Sequence, residues 1–255
     1  MRRGNFKVRI FIFIAIAAFA YLRKCSQEEV NPYTGKKQAI SLSPQEEIAI
    51  GLQSAPGMAE QHGGLHPDKR YQALVDNVGN KLVTNSIAKD TPYTYEFYLL
   101  ADPKTINAFA LPGGQIFITH ALFAQLENED QLAGVLGHEI GHVLGKHSNE
   151  RITNANFWKV LAMGSSAIDM GGVAQQFGQG QLLKNGRGDE LESDELGVMF
   201  MLNAGYNPEA MIGVMEILKA AAGPNRIPEF QSTHPDPENR IEKIRAAIKK
   251  YKNVS

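Results

Sequence analysis

The stretch AGVLGHEIGHVLGKHSNERI, residues 133–152, sets His138 and His142 four positions apart, with Glu139 beside the first. Around it Leu132, Val135, Leu136, Ile140 and Val143 recur at spacings of three and four, which predicts a helix with one buried face from about Asn128 to Lys146. Residues four apart on a helix lie about one turn from each other on one face. Both imidazoles can therefore converge on a single ion while Glu139 points beside it. This H-E-x-x-H pattern offers two nitrogen ligands to zinc and a carboxylate that can take a proton from the water the ion activates. A fold that uses it must bury this helix and bring another ligand to it, because a catalytic zinc takes three protein ligands and keeps one position open.

The third ligand has two candidate sources. In the pattern H-E-x-x-H-x-x-G-x-x-H a glycine breaks the helix and lets the chain swing in a third histidine. Gly145 occupies the glycine position, but Ser148 stands where the histidine should be. His147 comes one residue early and is expected to project elsewhere, as a surface or helix-end histidine. The other source is a carboxylate on a later helix, and GRGDELESDELGVMFM offers Glu190, Glu192, Asp194 and Glu195. Glu190 and Asp194 share a helical face, so one could bind zinc while the other orients a ligand histidine. The same acidic cluster would also suit a solvated helix start.

Composition narrows the alternatives. Cys25 is the single cysteine of the 255 residues, so no internal disulfide or thiolate cluster can form and a metal must be held by histidine and carboxylate. The net charge of −1 hides an asymmetry: residues 1–24 carry six basic side chains (Arg2, Arg3, Lys7, Arg9, Arg23, Lys24) and no acidic one, leaving 20 basic against 27 acidic groups. That balance excludes the broad basic face a nucleic-acid partner would need.

Residues 1–25 form either a secretory signal or a short membrane anchor. A basic start precedes thirteen uncharged, nearly all apolar residues from Ile10 to Leu22, with Ala18-Phe19-Ala20 resembling a cleavage site. Thirteen residues fall short of the roughly 20 that span a bilayer. The excess of basic charge before the segment predicts export of everything after it, to the periplasm or cell envelope. Residues 26–41 are expected to be a polar linker, with NPYTG as a turn, and residues 42–255 a single domain.

That domain opens with SLSPQEEIAIG, in which Ser43 can cap, Pro44 begins the helix and Glu46 completes a capping box. A second helix is expected from about Pro67 to Lys89. Strands are expected at 93–100 and Gln115–Thr119, the second after a proline-glycine turn. The remainder reads as helical, with helices near 189–204, 208–222 and 236–251. QQFGQGQLLKNGRG is expected to be a mobile connection, and residues 171–188 a candidate lid. The fold class is α+β, mainly α, with a small sheet near the metal helix.

Four ordered stretches resemble the M48-type zinc metalloproteases: LSPQEEIAIG, NAFALPGGQIFIT, HEIGH and RGDELESDELG. A fifth, STHPDPENRI, is similar to the family's T-H-P-x-x-x-x-R segment. The resemblance runs from about Ser41 to Lys250 and implies a zincin-like (gluzincin) domain with one Zn2+ per chain. It implies ligands His138, His142 and Glu190, Glu139 as the catalytic base, and Asp194 orienting a ligand histidine. Ser193 stands where the family's pattern has alanine. The resemblance also brings His234 and Arg240 to the active site as catalytic groups, His234 either donating to the oxyanion or approaching the metal to hold the enzyme inactive. It further implies a strand edge along the substrate, with contacts from Asn107, Gln115, Ile116 and Phe117.

The reading that follows is an exported zinc endopeptidase acting on unfolded or misassembled polypeptides, with substrate backbone added to the Gln115–Thr119 strand. A membrane tether or envelope assembly machinery are the other expected partners. The rivals are a latent protease that acts mainly as a zinc-stabilised chaperone or adaptor, and an intramembrane prenyl-protein protease. The second needs several membrane spans, where this sequence shows one short apolar segment.

Overall fold

The computed structural model describes residues 6–166, 170–221, 230, 234 and 239–252. In chain order its elements are α1 (Phe6–Ser26), β1 (Glu28–Val30), β2 (Lys37–Ala39), α2 (Pro44–Gln61), α3 (Lys69–Thr84), a 3-10 turn (Ile87–Asp90), β3 (Glu96–Leu100), β4 (Ala108–Ala110), β5 (Gln115–Thr119) and α4 (His120–Phe123). There follow α5 (Glu129–Leu144), α6 (His147–Ser165), α7 (Gly171–Asn203), α8 (Ala210–Ala221) and α9 (Arg240–Lys252). The mainly helical fold with small sheets is the expected class. The chain divides into two compact units, residues 1–43 with 148–186 and residues 44–147 with 187–255.

In the first unit α1 packs on α6. A Cβ added to Gly164 would lie 3.0 Å from Ile16 Cγ2, so the glycine permits the approach. The stretch 26–41, expected as a linker with NPYTG as a turn, carries the antiparallel hairpin β1-β2. Asn31 closes its turn by accepting the backbone N–H groups of Tyr33 and Thr34, and Gly35 takes the positive φ of 73° that the turn requires. Asn149 then fastens the exit of the hairpin, accepting from Ser41 and Leu42 N–H and donating to Leu42 C=O at 2.8 Å.

The glycine-rich stretch expected to be mobile is also corrected. It lies inside α7, and so do residues 171–188, leaving no loop there to act as a lid. Gly178 gives a reason. A Cβ at that position would come within 2.8 Å of Trp158 Cβ and Cγ, so this glycine serves close packing against α6 rather than freedom. No helix among the described residues is long and apolar enough to cross a membrane, since the 21 residues of α1 include Lys7, Arg9, Arg23 and Lys24.

In the second unit a three-stranded sheet has the order β3-β5-β4, with β5 parallel to β3 and antiparallel to β4. Every residue of β5 is buried, as a central strand covered on both faces must be. The turn that feeds it requires Gly113 and Gly114, at φ 91° and 113°, and added Cβ atoms would strike the backbone of Ile48 at 2.5 Å and Thr94 O at 2.7 Å. The strand expected from residue 93 begins at Glu96, because Tyr93 turns away to donate to the buried Glu47 at 2.7 Å.

Against this sheet, α3 and α8 lies α5, with Leu132, Leu136, Ile140 and Leu144 fully or almost fully buried. Asn128 caps it by accepting from Gln131 N–H at 2.9 Å, and Glu129 and Asp130 favour its positive end. Glycines set its crossing with α7. Gly141 meets Ser193 so closely that an added Cβ would lie 2.9 Å from the Ser193 Cα and O, and Gly137 faces Gly197 at 3.4 Å. Ser193, where a small residue is needed, lets Glu190 and Asp194 come level with the two histidines.

Candidate metal centre

His138 and His142 project from α5, Glu190 from α7, and His234 joins them; one ligand atom from each lies within 4.8 Å of all the others. The two Nε2 atoms are 3.0 Å apart, and the Glu190 oxygens stand 3.3 Å from each. His234 Nδ1 is 3.1 Å from Glu190 Oε1 and 3.4 Å from His138 Nε2. All but His142 are deeply buried, and His142 is intermediate.

The outer nitrogens determine what the inner ones offer. His138 Nδ1 lies 2.8 Å from Asp194 Oδ1 and must donate to it. His234 Nε2 lies 3.2 Å from the carbonyl of Ala108 and must likewise carry the proton. His142 Nδ1 lies 2.8 Å from His147 Nδ1. With their outer nitrogens engaged, the imidazoles can each turn an inner lone pair to a cation beside the Glu190 carboxylate, a donor set whose chemistry fits a metal ion.

The electrostatics agree. Burial alone would lower the His138 pKa, but hydrogen bonds to Asp194 and Glu190 outweigh it and push the group up to about 10, so the pocket favours positive charge there. Burial holds His142 well below its ordinary value, neutral and able to act as a ligand. Glu190 and Asp194 both resist the upward pull of burial: nearby histidines hold Glu190 well below the usual carboxylate range, and Arg240 with His138 lowers Asp194.

Glu139 is different in kind. It is 1% exposed, both its carboxylate oxygens lack a hydrogen-bond partner among the described residues, and burial pushes its pKa upward. Its Oε1 stands 3.6 Å from His234 Nε2. An orphaned buried carboxylate next to an acceptor cluster is costly to keep, and a metal with its attendant water would remove that cost.

Arg240, expected as a catalytic group, sits behind the cluster. Its Nε and Nη2 donate to the two oxygens of Asp194 at 2.7 and 2.9 Å, with Nη2 also 3.3 Å from Glu190 Oε2. This fork grips the carboxylate that grips His138. Of STHPDPENRI, residues 232–233 and 235–238, the PDP that follows His234 among them, lie outside the described residues.

The residues expected to touch substrate are placed as follows. Gln115, Ile116 and Phe117 lie in the central strand and are at most 1% exposed, as is Asn107. With β3 on one side and β4 on the other, β5 has no free edge. Among the described residues β4 is an edge strand of this sheet that no further strand pairs with. Thr119 N–H pairs with Asn107 O and Leu111 N–H with Gln115 O, so by antiparallel alternation the backbone groups of Ala108 and Ala110 face away from the sheet.

His147, expected as a surface or helix-end histidine, stands at the start of α6 but is 5% exposed and bonded both to His142 and, through Nε2, to Glu192 Oε2 at 2.8 Å. The signal lay in GKH: Gly145 leaves room for the His147 ring, which an added Cβ would strike, and Lys146 takes φ 54° to turn the chain back.

The described centre, two histidines and a carboxylate on crossed helices with an unpartnered glutamate beside them, defines a candidate mononuclear metal site on a mainly helical α+β scaffold. Residues 69–248 match the model of peptidase family M48, and the chain belongs to that family. It is 29% identical over 232 residues to the β-barrel assembly-enhancing protease of Yersinia pestis, covering 86% of this chain and 47% of that protein. It is 33% identical over 229 residues to the protein of the same name from Escherichia coli O157:H7, covering 82% and 45%. With the mitochondrial metalloendopeptidase OMA1 of Schizosaccharomyces pombe it shares 33% identity over 183 residues, 70% of this chain and 52% of the other. The chain thus spans about half the length of these relatives.

Proposed function

We propose that this chain is a zinc-dependent endopeptidase of the cell envelope that cleaves unfolded or misassembled polypeptides. The observation that carries the reading is the buried, unpartnered Glu139 carboxylate beside His138, His142 and Glu190. Family membership supports the chemistry, and the names of the bacterial relatives support the envelope as the setting. The basic start and apolar stretch of residues 1–25 support export.

His138, His142 and Glu190 would hold zinc, which when bound supplies Lewis acidity to the scissile carbonyl and brings the pKa of water to about 7. Glu139 accepts the proton of the attacking water and returns it to the leaving amine. Its upward-shifted pKa suits both halves of that task. Asp194, held by the Arg240 fork, keeps His138 in the tautomer that presents Nε2. Substrate backbone adds to β4, pairing with Ala108 and Ala110, and so leaves side-chain choice broad.

A second reading concerns the resting state. His234 Nδ1 lies beside Glu190 while its Nε2 holds the Ala108 carbonyl, so one side chain occupies both a ligand position and a substrate anchor. This supports a latched protease, whose main activity could then be that of a zinc-stabilised chaperone or assembly adaptor.

Glu139→Gln tests the first reading. Casein cleavage is expected to fall by roughly 10²- to 10⁴-fold at unchanged zinc content, and undiminished cleavage at equal zinc would overturn it. His234→Ala separates the roles of the histidine: raised activity supports the latch, and lost activity supports oxyanion stabilisation.

A further inference from the structure

We infer that His147 and Glu192 form a relay that orients His142 as a metal ligand, matching on the second histidine what Asp194 and Arg240 do for the first. The inference rests on the proposed function in one respect: His142 must bind the ion through Nε2.

The geometry is specific. With its Nε2 given to the ion, His142 carries its proton on Nδ1, 2.8 Å from His147 Nδ1. That nitrogen of His147 must then present its lone pair, which places the His147 proton on Nε2, 2.8 Å from Glu192 Oε2. Each N–H has one acceptor and the relay ends on a carboxylate. Ser193 Oγ, 3.3 Å from His147 Nδ1, and Asp189 Oδ1, 3.9 Å from His147 Nε2, complete its surroundings.

The local backbone is shaped for this contact. Gly145 and the positive φ of Lys146 fold the chain so that the His147 ring lies back across the end of α5, over a position where any Cβ would collide with it. A non-glycine residue in the left-handed region is held there by its surroundings, and the product of the turn is this one buried ring. The two ligand histidines are thereby braced in different ways: His138 directly by a carboxylate whose arginine is buried, His142 through an imidazole by a Glu192 side chain that is 20% exposed. Removing a partner that orients a metal-binding histidine typically costs 10- to 100-fold in metal affinity.

The test uses the full chain and zinc itself. Competition with a chromogenic chelator gives the zinc dissociation constant of wild type, His147→Ala, His147→Gln, Glu192→Gln and Gly145→Ala, and the visible spectrum of the Co2+-substituted proteins reports ligand geometry. Expected is roughly 10- to 100-fold weaker zinc binding in His147→Ala with an altered Co2+ spectrum, at an unchanged far-ultraviolet circular dichroism spectrum. His147→Gln, whose amide can accept from His142 and donate to Glu192, should restore most of the affinity. Glu192→Gln and Gly145→Ala should weaken binding while keeping the imidazole, and they read the relay even if His147→Ala does not fold.

Wild-type affinity and spectrum in folded His147→Ala would overturn the relay. So would two zinc ions per wild-type chain with one lost in that variant, since His147 would then be a ligand with Asp189 and Glu192. Failure of the underlying reading looks different: the wild-type chain would bind no zinc, or His142→Ala would leave binding intact.

Discussion

At the scale of single residues the site depends on groups that are costly to bury unless each has its partner. Asp194 shows the sign of this. Burial opposes its ionised form, but Arg240 and His138 more than compensate, and its pKa is lowered on folding. Its stabilisation is therefore complete above its unfolded value of about 4 and is lost as the pH falls through the lowered folded value. Asp194→Asn is expected to destabilise by about 3–5 kcal/mol near neutrality, because it breaks the buried two-pronged ion pair with Arg240. In denaturant melts this difference should shrink in acid; a gap that widens there would refute the assignment. Gly141 makes a purely steric prediction. Gly141→Ala forces a Cβ to within 2.9 Å of the Ser193 backbone and should cost about 1–3 kcal/mol by the same measurement, even though alanine is the better helix former.

At the scale of elements, legibility followed periodicity. The period of the apolar residues gave α5 to within two residues of each end, and β5 was legible from its proline-glycine turn and alternation. What periodicity could not show was strand order. The run AFA is three residues long and indistinguishable from loop until β5 pairs with it, and that pairing moves the free edge from Gln115–Thr119 to Ala108–Ala110. The glycines of α7 misled for a related reason, since composition cannot tell a glycine used for close packing, such as Gly178 against Trp158, from one used for freedom. The edge carries its own test. Ala110→Pro removes a donor that faces away from the sheet, and one lost backbone hydrogen bond of about 0.5–1.5 kcal/mol predicts a roughly 3- to 10-fold fall in kcat/KM at unchanged zinc content. Unaltered cleavage of long peptides would place substrate elsewhere.

At the scale of the whole molecule, the candidate ligands come from α5, α7 and the segment before α9, so the site exists only when distant parts of the chain are assembled. HEIGH was readable as local text, and spacing offered Glu190 and Asp194 as partners of its histidines while resemblance alone divided their roles; the His147 contact was not read at all, because its meaning lies in a turn rather than a motif. Assembly across the chain also predicts that zinc stabilises the fold. At free zinc 100 times its dissociation constant the gain is about 2.7 kcal/mol, so chelation should lower the unfolding midpoint, and an unchanged midpoint would mean the ion is not bound by the folded state alone. The position of His234 has a consequence for inhibition. In the proposed latched state a chelating inhibitor would compete not with solvent but with an imidazole of the same chain, the His234 ring whose Nδ1 lies 3.4 Å from His138 Nε2. Compounds that also satisfy the Ala108 carbonyl would displace that imidazole at both of its nitrogens, and potency in such a series should track the second contact more closely than the strength of the chelating group.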